Sequence, residues 1–178
     1  MVTRLACALL LSSLVSACGF QLRGSGERLP PQFGATWVDV PDRYSEFNES
    51  LREQLAASGA RLVDDPAQAT ATIKVSRDEV DVRVLSVSAR NTPREYEVVY
   101  KVVVAAGVGP TELMPAEPLT LTRNYAFDEG AVLVKDQEDR DIRRALADEL
   151  ASLVVFRLAA AARAAAAVPV PAPAPTAP

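Results

Sequence analysis

Hydrophobic residues along this chain follow two rhythms. Between about Glu46 and Ser58, Phe47, Leu51 and Leu55 recur every fourth residue and make one stripe of a helix. Ser45 suits its N-cap, because a hydroxyl there accepts an orphan backbone N–H. Gly59 suits the left-handed residue that closes a helix. A second helix is predicted from about Asp136 to Leu158, with Ile142, Leu146, Leu150 and Leu153 as its inner stripe. Asp136, Glu138, Asp139 and Asp141 are placed in its first turns, where carboxylates oppose the positive end of the helix dipole. Ala159–Ala167 has the propensity to extend it. Val168–Pro178 has proline at nearly every second position and reads as a polyproline-like tail.

The other rhythm is period two. Thr36–Val40, closed by Pro41, predicts a short first strand. From Thr70 to Ser88 the alternation changes phase: Ala71, Ile73 and Val75 share one parity, Val80, Val82 and Val84 the other, and Leu85 and Val87 switch back. A slip of one residue turns every side chain over, so bulges are predicted near Ser76–Glu79 and near Val84–Leu85. Asn91-Thr92-Pro93 breaks the run as a hairpin loop. Glu95–Ala106 is the clearest half-buried strand, with Tyr96, Val98, Tyr100, Val102 and Val104 on one side. Gly107–Pro118 reads as a loop, and Leu119–Phe127 as a fourth strand whose Leu119, Leu121, Tyr125 and Phe127 face together. The expected fold class is α+β, a two-layer sandwich of order β-α-β-β-β-α, with two helices on one face of a mixed four-stranded sheet.

The N-terminus changes the picture. Arg4 precedes an apolar run from Leu5 to Val15, a leader of secretory type and too short for a permanent span. Leu14-Val15-Ser16-Ala17-Cys18 resembles the lipobox of bacterial lipoproteins. A thiol is needed there because only sulfur is nucleophilic enough to take a diacylglyceryl group as a thioether. A second acyl chain on the freed amine makes the anchor stable. Cys7 falls in the discarded leader, so Cys18 has no disulfide mate. We therefore divide the chain into a signal peptide (1–17), a lipidated N-terminus and tether (18–35), a domain (36–160) and an Ala/Pro-rich disordered tail (161–178).

Loss of residues 1–17 removes one arginine and no acid, leaving 18 basic against 23 acidic residues. A mildly acidic chain is a poor nucleic-acid binder. No second apolar run approaches a membrane span, so the membrane is met through the anchor alone. The chain has no histidine, and its mature cysteine is expected to be acylated. Nucleophile–base pairs and transition-metal sites depend on those residues, so we read the chain as non-enzymatic, with no catalytic residues, no metal and no cofactor.

Cys18-Gly19-Phe20-Gln21-Leu22-Arg23-Gly24 resembles the start of the mature protein in the LptE (RlpB) family of LPS-assembly lipoproteins. Arg90-Asn91 ahead of Glu95-Tyr96-Glu97, and Lys135-Asp136 at the opening of the last helix, resemble the same family in the same order. The resemblance implies an outer-membrane lipoprotein facing the periplasm, seated as a plug inside the β-barrel LptD and assisting lipopolysaccharide transport to the outer leaflet. Gly19 after the cysteine resembles the outer-membrane sorting signal. The resemblance also implies lipopolysaccharide contact through Arg90 and Lys135, arginine bonding phosphates in bidentate fashion and lysine acting as a point charge. The alternative is another periplasm-facing accessory lipoprotein, pilotin-like or a barrel-assembly factor. Trp37, Tyr125 and Phe127 are aromatic candidates for contact, with core the favoured place for the last two.

Overall fold

The computed structural model describes residues 28–126 and 132–167, with 132–136 placed as backbone only. Strand β1 (Thr36–Asp39) leads to helix α1 (Glu46–Ala57), then to β2 (Ala71–Val87), β3 (Pro93–Val108), β4 (Thr111–Ala126) and helix α2 (Val132–Ala167). The sheet order is β1-β2-β3-β4; β1 runs parallel to β2 and the other pairs are antiparallel. This is the expected mixed sheet under two helices.

Local chemistry sets the ends of α1. Ser45 is extended and its hydroxyl accepts from the Asn48 N–H at 3.1 Å. At the other end Gly59 has φ 93°, while the Gly59 and Ala60 N–H groups donate to the Ala56 and Leu55 carbonyls. That is the paired closure which a left-handed glycine permits. Phe47, Leu51 and Leu55 are fully buried. They meet Ile73 and Val75 of β2, Tyr100, Val102 and Val104 of β3, and the inner stripe of α2 in one core. Glu49 of α1 pairs with Arg144 of α2 at 3.4 Å, and the Ser50 hydroxyl donates to Asp148. Arg123 and Glu117 of β4 reach Glu149 and Arg157 of α2, so α2 runs back along β4.

Both predicted bulges are present: the β2–β3 register shifts between Val75 and Arg77 and between Val84 and Ser86. A third shift, Ser86 to Val87, follows at once.

Several boundaries differ from expectation. Residues 28–35 are not all tether: Leu29 and Phe33 are buried, around a 3₁₀ turn at Pro31–Phe33, because their apolar surface completes the core beside α1. The predicted loop Gly107–Pro118 is a tight turn and half of a strand. Gly109, φ 51°, takes the first central position of a two-residue hairpin between Val108 and Thr111. Pro115 falls at a register shift, and Pro118 lies opposite Val103 on an edge strand, two places where a missing N–H is tolerated. Helix α2 begins at Val132, so Glu138, Asp139 and Asp141 belong to later turns than the dipole reading supposed. Its inner stripe passes through Val154 (fully buried) and leaves Leu153 only partly buried. The helix continues to Ala167 and buries Ala159 and Ala162, so residues 161–167 are helix, not tail. Gln137–Ala167 is also long and apolar enough, by length and composition, to cross a membrane, which a search for continuous apolar runs does not detect. Here its apolar side is the buried wall of the domain core. Phe127 and Val168–Pro178 lie outside the described residues.

Candidate functional site

The sheet has two unlike ends. At one, Leu29 donates its N–H to the Ser58 carbonyl just past α1, so the chain enters beside the start of β1. At the other lie the β2–β3 hairpin loop, the end of β4 (Ala126 opposite Glu95) and the start of α2.

The loop at this distal end is tied by Ser88. Its N–H donates to the Thr92 carbonyl at 2.7 Å, and its Oγ accepts from the N–H groups of Arg90 (3.3 Å) and Thr92 (3.2 Å). Asn91 takes φ 61°, a left-handed position that asparagine tolerates better than most residues. Arg90 thus projects from a turn with a fixed backbone, its side chain exposed. Arg90 and exposed Arg94 carry no ion pair among the described residues, whereas Arg83, closer to the strand centre, is paired with Glu97.

Inside the same end, Tyr125 is buried against Tyr96. Burial, then the nearby Asp139 carboxylate, raises the Tyr125 phenol above its usual pKa. Asp139 pairs with Arg143 one helical turn on, at 2.7 Å.

Lys135 belongs to the first turn of α2, by its backbone, at the end of the sheet that also holds the Arg90 loop. The topology therefore brings the two predicted basic positions to one end. Cys18 lies outside the described residues. Trp37 is half-buried and lines a cleft of about 250 Å³ on the outer side of β1, with Arg43, Asn48 and Arg52. Sequence reading missed the Tyr96–Tyr125 pairing; the signal was there in two tyrosines on strands whose register remained to be fixed.

Comparison with known proteins decides the family. The family model described as "LptE: Lipopolysaccharide-assembly" matches residues 33–158. The chain belongs to the LptE family. It is 30% identical over 155 residues to the LPS-assembly lipoprotein LptE of Pectobacterium atrosepticum, covering 83% of this chain and 80% of that one. It is 25% identical over 150 residues to the LptE of Yersinia enterocolitica, covering 83% and 72%. Among solved structures, a lipoprotein B from Nitrosomonas europaea superposes with TM-score 0.68 at 24% identity, over 82% of this chain and 94% of that one. The rare lipoprotein B of Shewanella oneidensis gives 0.62 at 20% identity, over 74% and 98%. These two share the fold. The LptE family match runs from Phe33, in agreement with the burial of that residue in the core.

Proposed function

We propose that this LptE-family chain is a non-enzymatic outer-membrane lipoprotein, anchored through Cys18 and facing the periplasm. It seats as a plug inside the barrel LptD and assists delivery of lipopolysaccharide to the outer leaflet. Its relatives' names supply the assembly role; the observation that supports this particular reading is the opposition of the two ends. The chain enters at one end of the sheet, and Arg90 and the first turn of α2 stand at the other. The 17 residues of β2 span roughly 55 Å at about 3.3 Å each. A bilayer with its head groups is about 40–45 Å thick. A domain tethered to the periplasmic leaflet and held upright in a barrel thus carries its unpaired arginines to the depth of the outer head groups. There Arg90 and Lys135 meet the phosphates of lipid A.

Purification from membranes in mild detergent, followed by mass spectrometry, tests the plug. LptD is the expected partner, and its absence overturns the reading. Arg90→Glu combined with Lys135→Glu is expected to weaken lipopolysaccharide binding, more at low salt than at high. Unchanged affinity removes the phosphate contact.

A further inference from the structure

Strand β1 keeps part of its outer edge open. Successive residues of a strand point their N–H and C=O groups to opposite sides. Trp37 and Asp39 turn theirs to β2, while Thr36 and Val38 turn theirs outward. Thr36 is satisfied there, in a parallel bridge to Leu62. Its N–H donates to the Arg61 carbonyl at 2.9 Å, and its carbonyl accepts from the Val63 N–H at 3.0 Å. The bridge stops after that one residue. Val38, 7% exposed, is left with an outward N–H and C=O that have no partner among the described residues. Backbone groups at so buried a position are almost always met by protein or by ordered water, because leaving them bare costs about a hydrogen bond.

Val38 lines the cleft on this side of the sheet, and the cleft's walls are unlike. One wall is the flank of α1 that carries Asn48 and Arg52; the flank toward α2 carries Ser50 and Gln54, both bonded to Asp148. The Asn48 amide donates to the Arg43 carbonyl at 2.7 Å and so holds the segment from which exposed Arg43 extends. Arg43 has no ion pair among the described residues. Arg52 meets Asp64 only at 3.8 Å, and that carboxylate is 87% exposed. Val63 and Asp64 make the opposite wall, while Trp37 and Asp39, of the other parity, border the cleft from the sheet face away from the helices.

We infer that this edge takes an extended acidic segment of a partner protein, added as a short parallel strand in line with Leu62. The residue of that segment opposite Val38 decides the fit. The carbonyl before it accepts the Val38 N–H, and the N–H after it donates to the Val38 carbonyl, as in β-strand addition. Its side chain takes the parity of Val38, toward the helices, and so passes beside Arg43 and Arg52. A carboxylate there forms charge-assisted bonds with guanidinium groups that lack a close partner. Its two neighbours take the parity of Trp37 and Asp39, where the indole offers apolar surface and Asp39 disfavours a second acid. The recognised pattern is one acid between apolar residues. β1 lies against the first residues of β2, at the end where the chain enters and away from the Arg90 loop. A single plug seated in a barrel therefore keeps this edge at the periplasmic mouth, within reach of a neighbouring chain, and the inference stands or falls independently of that seat.

Trp37 is the chain's single tryptophan, so its fluorescence reads the cleft directly. The probe is the peptide acetyl-Thr-Val-Glu-Val-Thr-amide, titrated into the full chain in detergent micelles. A saturable change at Trp37 is expected, and the same peptide with lysine in place of glutamate should bind at least about tenfold more weakly. Arg43→Glu should reverse that preference; because Arg43 is exposed, the variant should keep its urea midpoint, which separates lost binding from lost folding. N-methylation of the valine after the glutamate removes the N–H meant for Val38 and should abolish the change. N-methylation of the glutamate itself, whose N–H points away in the parallel register, should leave most of it. No saturable change, equal binding of both peptides, Arg43→Glu without reversal, or loss on methylating the glutamate alone each overturns the inference.

Discussion

Tyr96 on β3 and Tyr125 on β4 lie directly opposite each other and stack, with ring centroids 5.5 Å apart and planes 15° apart. The pair closes the distal end of the core, beyond the first turn of α1, where only α2 covers the sheet. Tyr96→Ala and Tyr125→Ala should each lower stability in urea. A double-mutant cycle should return a coupling of about 0.5–1.5 kcal/mol. A coupling near zero would show that the rings are neighbours without mutual stabilisation.

Tyr100 gives the protein an alkaline limit. It is 1% exposed; burial, then the charge of Asp78, raises its phenol far above the usual range. The folded chain keeps the phenol neutral while the unfolded chain ionises it near pH 10. Its contribution is therefore complete below about pH 10 and is lost as pH rises beyond it. Denaturation curves through that window should show stability falling with pH. Tyr100→Phe should flatten the fall, and an unchanged slope would assign it to other groups.

The N-terminal boundary is tested at Phe33, which is 1% exposed. Phe33→Ala should cost about 3–5 kcal/mol, the usual range for emptying an aromatic site in a core. A loss below about 1 kcal/mol would show that the segment ahead of β1 contributes little.

The C-terminal boundary is tested by two truncations. Ending the chain after Ala167 should leave the melting temperature nearly unchanged. Ending it after Leu158 removes buried Ala159 and Ala162 and should cost about 1–2 kcal/mol. Equal melting temperatures would show that the last turns of α2 are dispensable.

Cys18→Ser should leave the precursor unprocessed and move the protein out of the outer-membrane fraction. Acylation that persists in this variant, read by intact mass, would refute the anchor.

Phase carried most of the legible structure. The change of parity after Val75 located the bulges, because only an inserted residue keeps Val80 and Val82 on the helix side of the sheet. Stripes of four located both helices. Misreadings arose where a residue's usual role depends on its neighbours. Pro115 and Pro118 signal a loop by composition, yet the edge position of β4 makes them compatible with a strand. Leu29 and Phe33 show no period because they belong to no long element, and their burial depends on a surface formed by distant parts of the chain. Arg90 and Lys135 were picked out by resemblance alone; only the topology shows that a hairpin tip and a helix start share one end. The open edge at Val38 was not readable at all, since it depends on how far a different segment reaches.

The parallel pairing of β1 with β2 also sets an order of events. The meander from Ala71 to Ala126 closes through two hairpins, so its contacts are local along the chain. Thr36 must instead find Ala71 across the whole of α1. Closing that larger loop costs more chain entropy before any ladder forms to repay it. During synthesis and export the meander can therefore zip first and serve as the template on which the N-terminal third of the domain condenses.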